Sequence, residues 1–352
     1  MLYDISKLKK MMKSIGAWVK ILLILVILLP FAACKKSESS STTTNYMTGT
    51  LYIDVPQYMT ASKKITLSAR GITDPVDSIT YMWITKGFLK DTVYGQTVEV
   101  TAPSTFGAFS VTVELTHARY AKKTTYKSTI VINPESAESF SGVDKGSNFM
   151  VDARDNRKYY YSTIGNLQWF NENLDWAGAG VAYQSSDAIR PIYGRLYTWN
   201  EATGAVSATG LGSGPQGICP QGWRVPTNQD WEDLAKALNN NSSISFDNNW
   251  AGLGAKLSVK AYLNGSSIWK YSPLSTPANA FKFNALPAGY STTELGYFKG
   301  IQEYAFWWSS TQKDNNSAFY RYIYYDSPDF PYNFTGKTAF AASVRCVRTY
   351  DF

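Results

Sequence analysis

A single histidine, three cysteines and a charged fraction of 17% are all that 352 residues offer to most kinds of catalysis. The histidine is His117, in the N-terminal half, on a strand-like stretch beside lysines where it reads as a surface residue. The C-terminal half therefore holds no imidazole, which removes serine–histidine–aspartate and cysteine–histidine catalysis and zinc sites of the usual ligand set. A phosphate loop is also missing, because the glycine-rich "GLGSGPQG" (210–217) lacks the lysine and the strand-to-helix setting and reads as an ordinary loop. The formal charge of +7 suggests nucleic acid until it is located: five lysines and one aspartate fall in residues 1–33, leaving 29 basic against 26 acidic side chains. No arginine-rich run or basic helix remains, so nucleic acid is excluded as a partner.

Long apolar runs are equally scarce. "ILLILVILLPFAA" (21–33) has thirteen residues, too few to span a bilayer but suited to the apolar core of a secretory signal. The stretch before it is long for a signal, so Met11 or Met12 is a candidate start. "FAAC" (31–34) resembles a bacterial lipobox, with phenylalanine where leucine is usual, and the resemblance implies that Cys34 is lipidated with palmitate and becomes the mature N-terminus. Lys35, where an aspartate tends to hold such proteins at the inner membrane, favours the outer membrane, on its periplasmic or its exterior face. An uncleaved anchor or an ordinary signal is the alternative. With Cys34 so used, Cys219 and Cys346 are left as one pair in an oxidising compartment, where a disulfide is expected and two free buried thiols are the alternative.

A chain of this length predicts about two domains. Residues 1–33 read as the signal peptide and 34–46, with "KKSESSSTTTN", as a flexible tether. Over 47–134, short alternating runs such as "KITLSARG", "SITYMWITKG" and "FSVTVELTHA" predict a β-sandwich with Trp83 as its core plug. "YMWITKG" and "FGAFSVTVEL" are similar to immunoglobulin-like repeats of the polycystic-kidney-disease type, without their acidic turn, and the resemblance implies a spacer. A polar linker is expected over 135–148. Beyond it, from 149 to 352, the composition changes, and nine of the eleven tryptophans lie between Trp169 and Trp308.

In this second region "RDNRK" predicts a hairpin turn with Asn156 left-handed, and "YGRLYTWNEATGA" a short helix carrying Leu196, Trp199 and Thr203. The clearest element follows "GICPQGWRVP": Thr227 as N-cap, Asp230 three residues on, then Trp231, Leu234, Ala235 and Leu238 at helical spacing. Asp230, Glu232 and Asp233 lie near its N-terminus, where the macrodipole favours them, and read as structural. "FNALPAGYS", "AFWWSSTQ" and "AASVRCVR" read as strands.

Taken in order, "IGNLQWFNENL", "YGRLYTW", "CPQGWRVPTNQDWEDL", "LPAGY", "FWWSST" and "SVRCVR" resemble the Fibrobacter succinogenes major paralogous domain. That resemblance implies an exported, commonly lipid-anchored protein. "GWRVPTNQDWEDL" and "SVRCVR" are also similar, at the level of fold, to the sulfatase-modifying enzymes and the C-type lectin-like fold. The implied architecture is mainly β with an α+β C-terminal domain: an immunoglobulin-like sandwich followed by a C-type-lectin-like domain. The enzymes' activity needs a cysteine pair that this chain lacks, so catalysis does not carry over.

The site residues follow from composition. Trp250, Trp269 and Tyr271 sit in Asn- and Ser-rich stretches, and Tyr325, Phe330 and Tyr332 lie in "YYDSPDFPYNF". Rings flanked by amides bind sugars by stacking and hydrogen bonding, and the alternative is that they fill an aromatic core. Glu172, Asp175, Glu201 and Glu303 are the carboxylates from which a two-acid glycoside hydrolase could be assembled. "KDNNS" (313–317) carries one acid, too few for a calcium site. The expectation is a non-enzymatic, cofactor-free and metal-free binding or adhesion protein, held to a membrane by lipid and directed at a glycan or another surface component; the alternatives are a structural or adhesive surface subunit without small-ligand binding and the two-acid hydrolase.

Overall fold

The computed structural model describes residues 44–210, 212–240, 244–292 and 297–350. The signal peptide, Cys34 and the tether up to residue 43 lie outside them. Among the described residues no helix is long and apolar enough to cross a membrane.

The molecule is mainly β, as its alternating runs imply. In the first part, Thr48–Asp54, Lys64–Asp74 and Thr97–Thr101 form one sheet. The facing sheet pairs Tyr120–Ile132 with Gly107–His117, then Thr80–Ile84, then Thr92–Tyr94. Val111, Val113 and Leu115 point inward at period two and meet Trp83, which is fully buried. Its indole N–H donates to the Gly95 carbonyl at 2.9 Å, which satisfies the one polar atom such a plug brings inside. His117 is half-buried on this sheet and accepts from the Arg119 amide.

Two boundaries differ from the sequence reading. Asn45 and Tyr46, expected in the tether, pair in parallel with Tyr120 and Ala121. The expected linker is not free chain: Phe140–Ser141 pairs with Tyr262–Leu263 from the second part. The reason is Asn264. With Gly265 it makes the left-handed two-residue turn of a hairpin, with φ of 48° and 77°. From that turn Asn264 Nδ2 donates to the Val131 carbonyl at 2.8 Å, its Oδ1 accepts from Ser139 Oγ at 2.8 Å, and its backbone N–H reaches the Ser139 carbonyl at 2.7 Å. Tyr58 and Ile132 of the sandwich share one hydrophobic cluster with Ile189, Tyr193 and Leu263. Asn45–Phe352 is accordingly one compact unit.

The second part centres on a sheet ordered Val181–Ala182, Arg195–Thr198, Phe340–Ala342, Ala288–Thr292, Tyr304–Gln312, Ser317–Tyr324, Tyr332–Gly336, with Tyr297–Ile301 also on Ala288–Thr292. A smaller sheet joins Phe149–Val151, Lys158–Ile164, Leu167–Phe170 and Val347–Thr349. The expected helix runs Asn228–Leu238 with Thr227 and Asp230 in a reciprocal capping box, and Trp231, Leu234, Ala235 and Leu238 are buried. Its acids are structural: Asp230 pairs with Arg224 at 2.8 Å, Glu232 accepts from the Phe246 amide, and Asp233 holds Asn166. Leu196 is not helical, because Thr198 caps a helix that begins only at Trp199. Asn156 is left-handed as expected.

Cys219 and Cys346 are bonded to each other and fully buried. Closing a loop of 127 residues contributes about 4–5 kcal/mol in the chain-entropy description.

The Asn264 clamp gives a direct test. Asn264→Ala removes two side-chain hydrogen bonds and puts alanine in left-handed backbone that asparagine tolerates better, and should lower stability by about 2–3 kcal/mol. Urea unfolding followed by tryptophan fluorescence measures this, and an unchanged midpoint would contradict the clamp.

Candidate binding site

The six aromatic residues singled out from the sequence separate into two groups. Trp250, Phe330 and Tyr332 turn towards the core: Trp250 and Phe330 are buried, and with Phe246 and the half-buried Tyr332 they enclose the guanidinium of Arg321. Arg321 Cζ lies 3.3 Å from the Trp250 ring centroid and 5.3 Å from that of Tyr332. Its nitrogens donate to the carbonyls of Asn248 and Phe330, both at 2.8 Å, and to that of Phe246. An exposed ring beside amides and a ring stacked on a buried cation read alike in sequence, since the arginine lies some 70 residues from Trp250.

Trp269, Tyr271 and Tyr325 do come together. They line a cleft of about 450 Å³ with Lys270, Tyr262 and Tyr324. Tyr271 is 83% exposed and offers a free ring. Trp269 forms part of the wall and is 7% exposed, its indole N–H committed to the Ala285 carbonyl at 3.2 Å. Lys270 Nζ lies 4.8 Å from the Tyr325 ring centroid and pairs with Glu303 at 3.0 Å, and that hydrogen bond raises its pKa. Tyr324 and Tyr325 pack edge to face at 4.6 Å, and the Tyr324 phenol is pushed up to about 12, first by its hydrogen bond with Tyr325. The cleft thus combines ring faces, phenol hydroxyls and the ammonium groups of Lys260 and Lys270, and no carboxylate lines it.

The acids considered as a catalytic pair are placed elsewhere. Glu172 and Asp175 both pair with Arg157, Asp175 at 2.6 Å and Glu172 at 3.3 Å, and Asp175 also pairs with Arg190 at 2.5 Å. Burial is the largest influence on Asp175 and raises its pKa despite the two arginines. Glu201 completes the capping box of Trp199–Thr203. Only Glu303 stands near the cleft, neutralised by Lys270. Asp314 closes its own turn by accepting from the amides of Asn316 and Ser317.

A second aromatic surface was missed from sequence. Tyr304 and Phe306 on one strand, Tyr320, Tyr322 and Tyr324 on its neighbour, and Tyr290 and Phe340 further along the sheet share one face. The signal was period-two alternation: Trp307, Arg321 and Ile323 between them point into the core.

The family model described as the Fibrobacter succinogenes major domain matches residues 163–348, more than half of the chain. The chain belongs to this family. The family domain includes the disulfide, the arginine box and the whole cleft, and begins inside the strand Lys158–Ile164. No functionally curated protein matches the chain.

Replacing Arg321 tests the assignment of Trp250, Phe330 and Tyr332 to the core. Arg321→Ala leaves three loop carbonyls without donors and should destabilise the protein by about 3–5 kcal/mol in urea unfolding. Arg321→Lys should recover only part of this, because an ammonium group lacks the planar fork. Wild-type stability in both variants would return the three rings to the list of binding candidates.

Proposed function

We propose that this is a lipid-anchored cell-envelope protein whose C-terminal domain binds a glycan through the Trp269–Tyr271–Tyr325 cleft without transforming it. The observation that carries the reading is the convergence of these three rings, from two distant segments, on one cleft with hydroxyl and ammonium groups at its rim. The apolar C–H faces of a pyranose stack on such rings while its hydroxyls meet the phenols and Lys270. Glycoside hydrolysis needs two carboxylates across the bond, and the four acids singled out for such a pair serve ion pairs and a helix cap, which favours binding over turnover. A C-type-lectin-like architecture accords with this reading.

The anchor rests on the "FAAC" stretch and the polar residues after it. Cys34 carries the lipid, residues 1–33 are removed, and the protein is held at the outer membrane, with a glycan or other surface component as partner.

A glycan array probed with the full-length protein in detergent is expected to give hits that fall about tenfold in Tyr271→Ala, the scale of one lost stacking contact. Failure on broad plant, host and bacterial glycans would reject the glycan reading. For the anchor, cells fed labelled palmitate should label the wild type and not Cys34→Ala, and equal labelling of the two rejects lipidation.

A further inference from the structure

The cleft does not end at Tyr325. Tyr324 lines it and also lines the aromatic surface on the central sheet, so the two share a wall. From Tyr324 the rings follow one another at close spacing: 4.6 Å to Tyr304, 5.3 Å from Tyr304 to Phe306, 5.4 Å from Phe306 to Tyr320 and 5.6 Å from Tyr320 to Phe340. Tyr320, Tyr322 and Tyr324 alternate along a single strand, so their span is about 13 Å before the cleft is added. The surface is built for these rings. A β-carbon on Gly300 would come 2.8 Å from Tyr304 Cδ2 and 3.4 Å from Tyr290 Cε1, and Gly300 is left-handed with φ of 72°.

Its electrostatics narrow the occupant. None of the residues lining this surface is charged, and besides the rings it presents Ser327, Pro331 and Asn333. A polyanion gains nothing on this surface, and of the two lysines at the cleft end Lys270 already pairs with Glu303, whereas an uncharged chain of hydroxyl-bearing rings finds stacking faces along the track, and phenols and an amide around it.

We infer that the cleft and the tyrosine surface form one continuous track that binds several consecutive sugar units of a linear, neutral polysaccharide. This rests on the glycan reading above and extends it from a single sugar to a chain. The cleft takes one end of the bound segment, and Tyr324, Tyr304, Tyr322 and Tyr320 carry the rest.

The test uses the full-length protein in detergent, with calorimetry against a di- to hexasaccharide series cut from neutral glucan, mannan and xylan, and against a polyuronate. Affinity for one neutral series is expected to rise with length beyond the disaccharide. Tyr322→Ala and Tyr304→Ala should each weaken the hexasaccharide about tenfold and leave the disaccharide unchanged. Tyr271→Ala should weaken both, and Tyr322→Phe should keep wild-type affinity. If Tyr271→Ala weakens binding while both platform variants bind the hexasaccharide normally, the track is wrong and the cleft reading stands. If neither the neutral oligosaccharides nor the polyuronate binds, both fall. Tighter binding of the polyuronate overturns the neutral assignment. Self-association that Tyr322→Ala abolishes would show that a second copy of the chain occupies the surface. The two independent platform variants keep the result readable if one of them misfolds.

Discussion

The C-terminal domain is closed by two buried arginines. Arg321 and Arg345 are almost fully buried, and among the described residues neither forms an ion pair. Burial holds both below the ordinary arginine range. An isolated charge in a core is costly, so each guanidinium has to be solvated by the protein itself. Arg345 donates to the carbonyls of Phe170 and Phe283 and to Asn173 Oδ1, and lies 4.4 Å from the Phe283 ring centroid. Arg321 does the same for the segments around Phe246, Asn248 and Phe330. A planar group with five donors suits a domain whose connections are long and irregular, because it gathers carbonyls that no strand or helix pairs.

This constraint decides what the aromatic residues are free to do. A cation in the core calls for ring faces around it, and Trp250, Phe330, Tyr332, Phe283 and Trp307 are recruited for that purpose. The strand Ser317–Tyr324 carries Arg321 and Ile323 on its inner side, which obliges Tyr320, Tyr322 and Tyr324 to stand on the outer side with Tyr304 and Phe306. The outer tyrosine surface is thus the other half of the same alternation that places the buried arginine.

What could be read from sequence was local. The Thr227–Asp230 capping box, the 3.6-residue stripe from Trp231 to Leu238 and the left-handed Asn156 depend on neighbours a few residues away, and the structure has them as expected. The disulfide followed from cysteine arithmetic. Trp250 and Trp269 could not be told apart, because one stacks on an arginine some 70 residues away and the other on the wall of a cleft. The packed state of the segment 135–148 was missed for a related reason: its own residues are small and polar, and what orders it is an Asn-Gly hairpin more than 120 residues later. That hairpin signal was present in "YLNGSS". The strand through Tyr322 was hidden by its tyrosines, which occupy the half-exposed face where a polar residue is the usual sign of alternation.

The hairpin also bears on the role of the sandwich. A spacer in the plain sense would only add distance between membrane and ligand. Here one turn does two things: Asn264 grips Val131 at the end of the sandwich, while Tyr262 and Ser267, flanking the same turn, line the cleft that Trp269 and Tyr271 complete. The shared cluster of Tyr58, Ile132, Tyr193 and Leu263 fills the space behind it. Rigid, hydrogen-bonded supports hold a site in position better than mobile loops do. The orientation of the cleft is therefore set from the sandwich side as well as from its own domain.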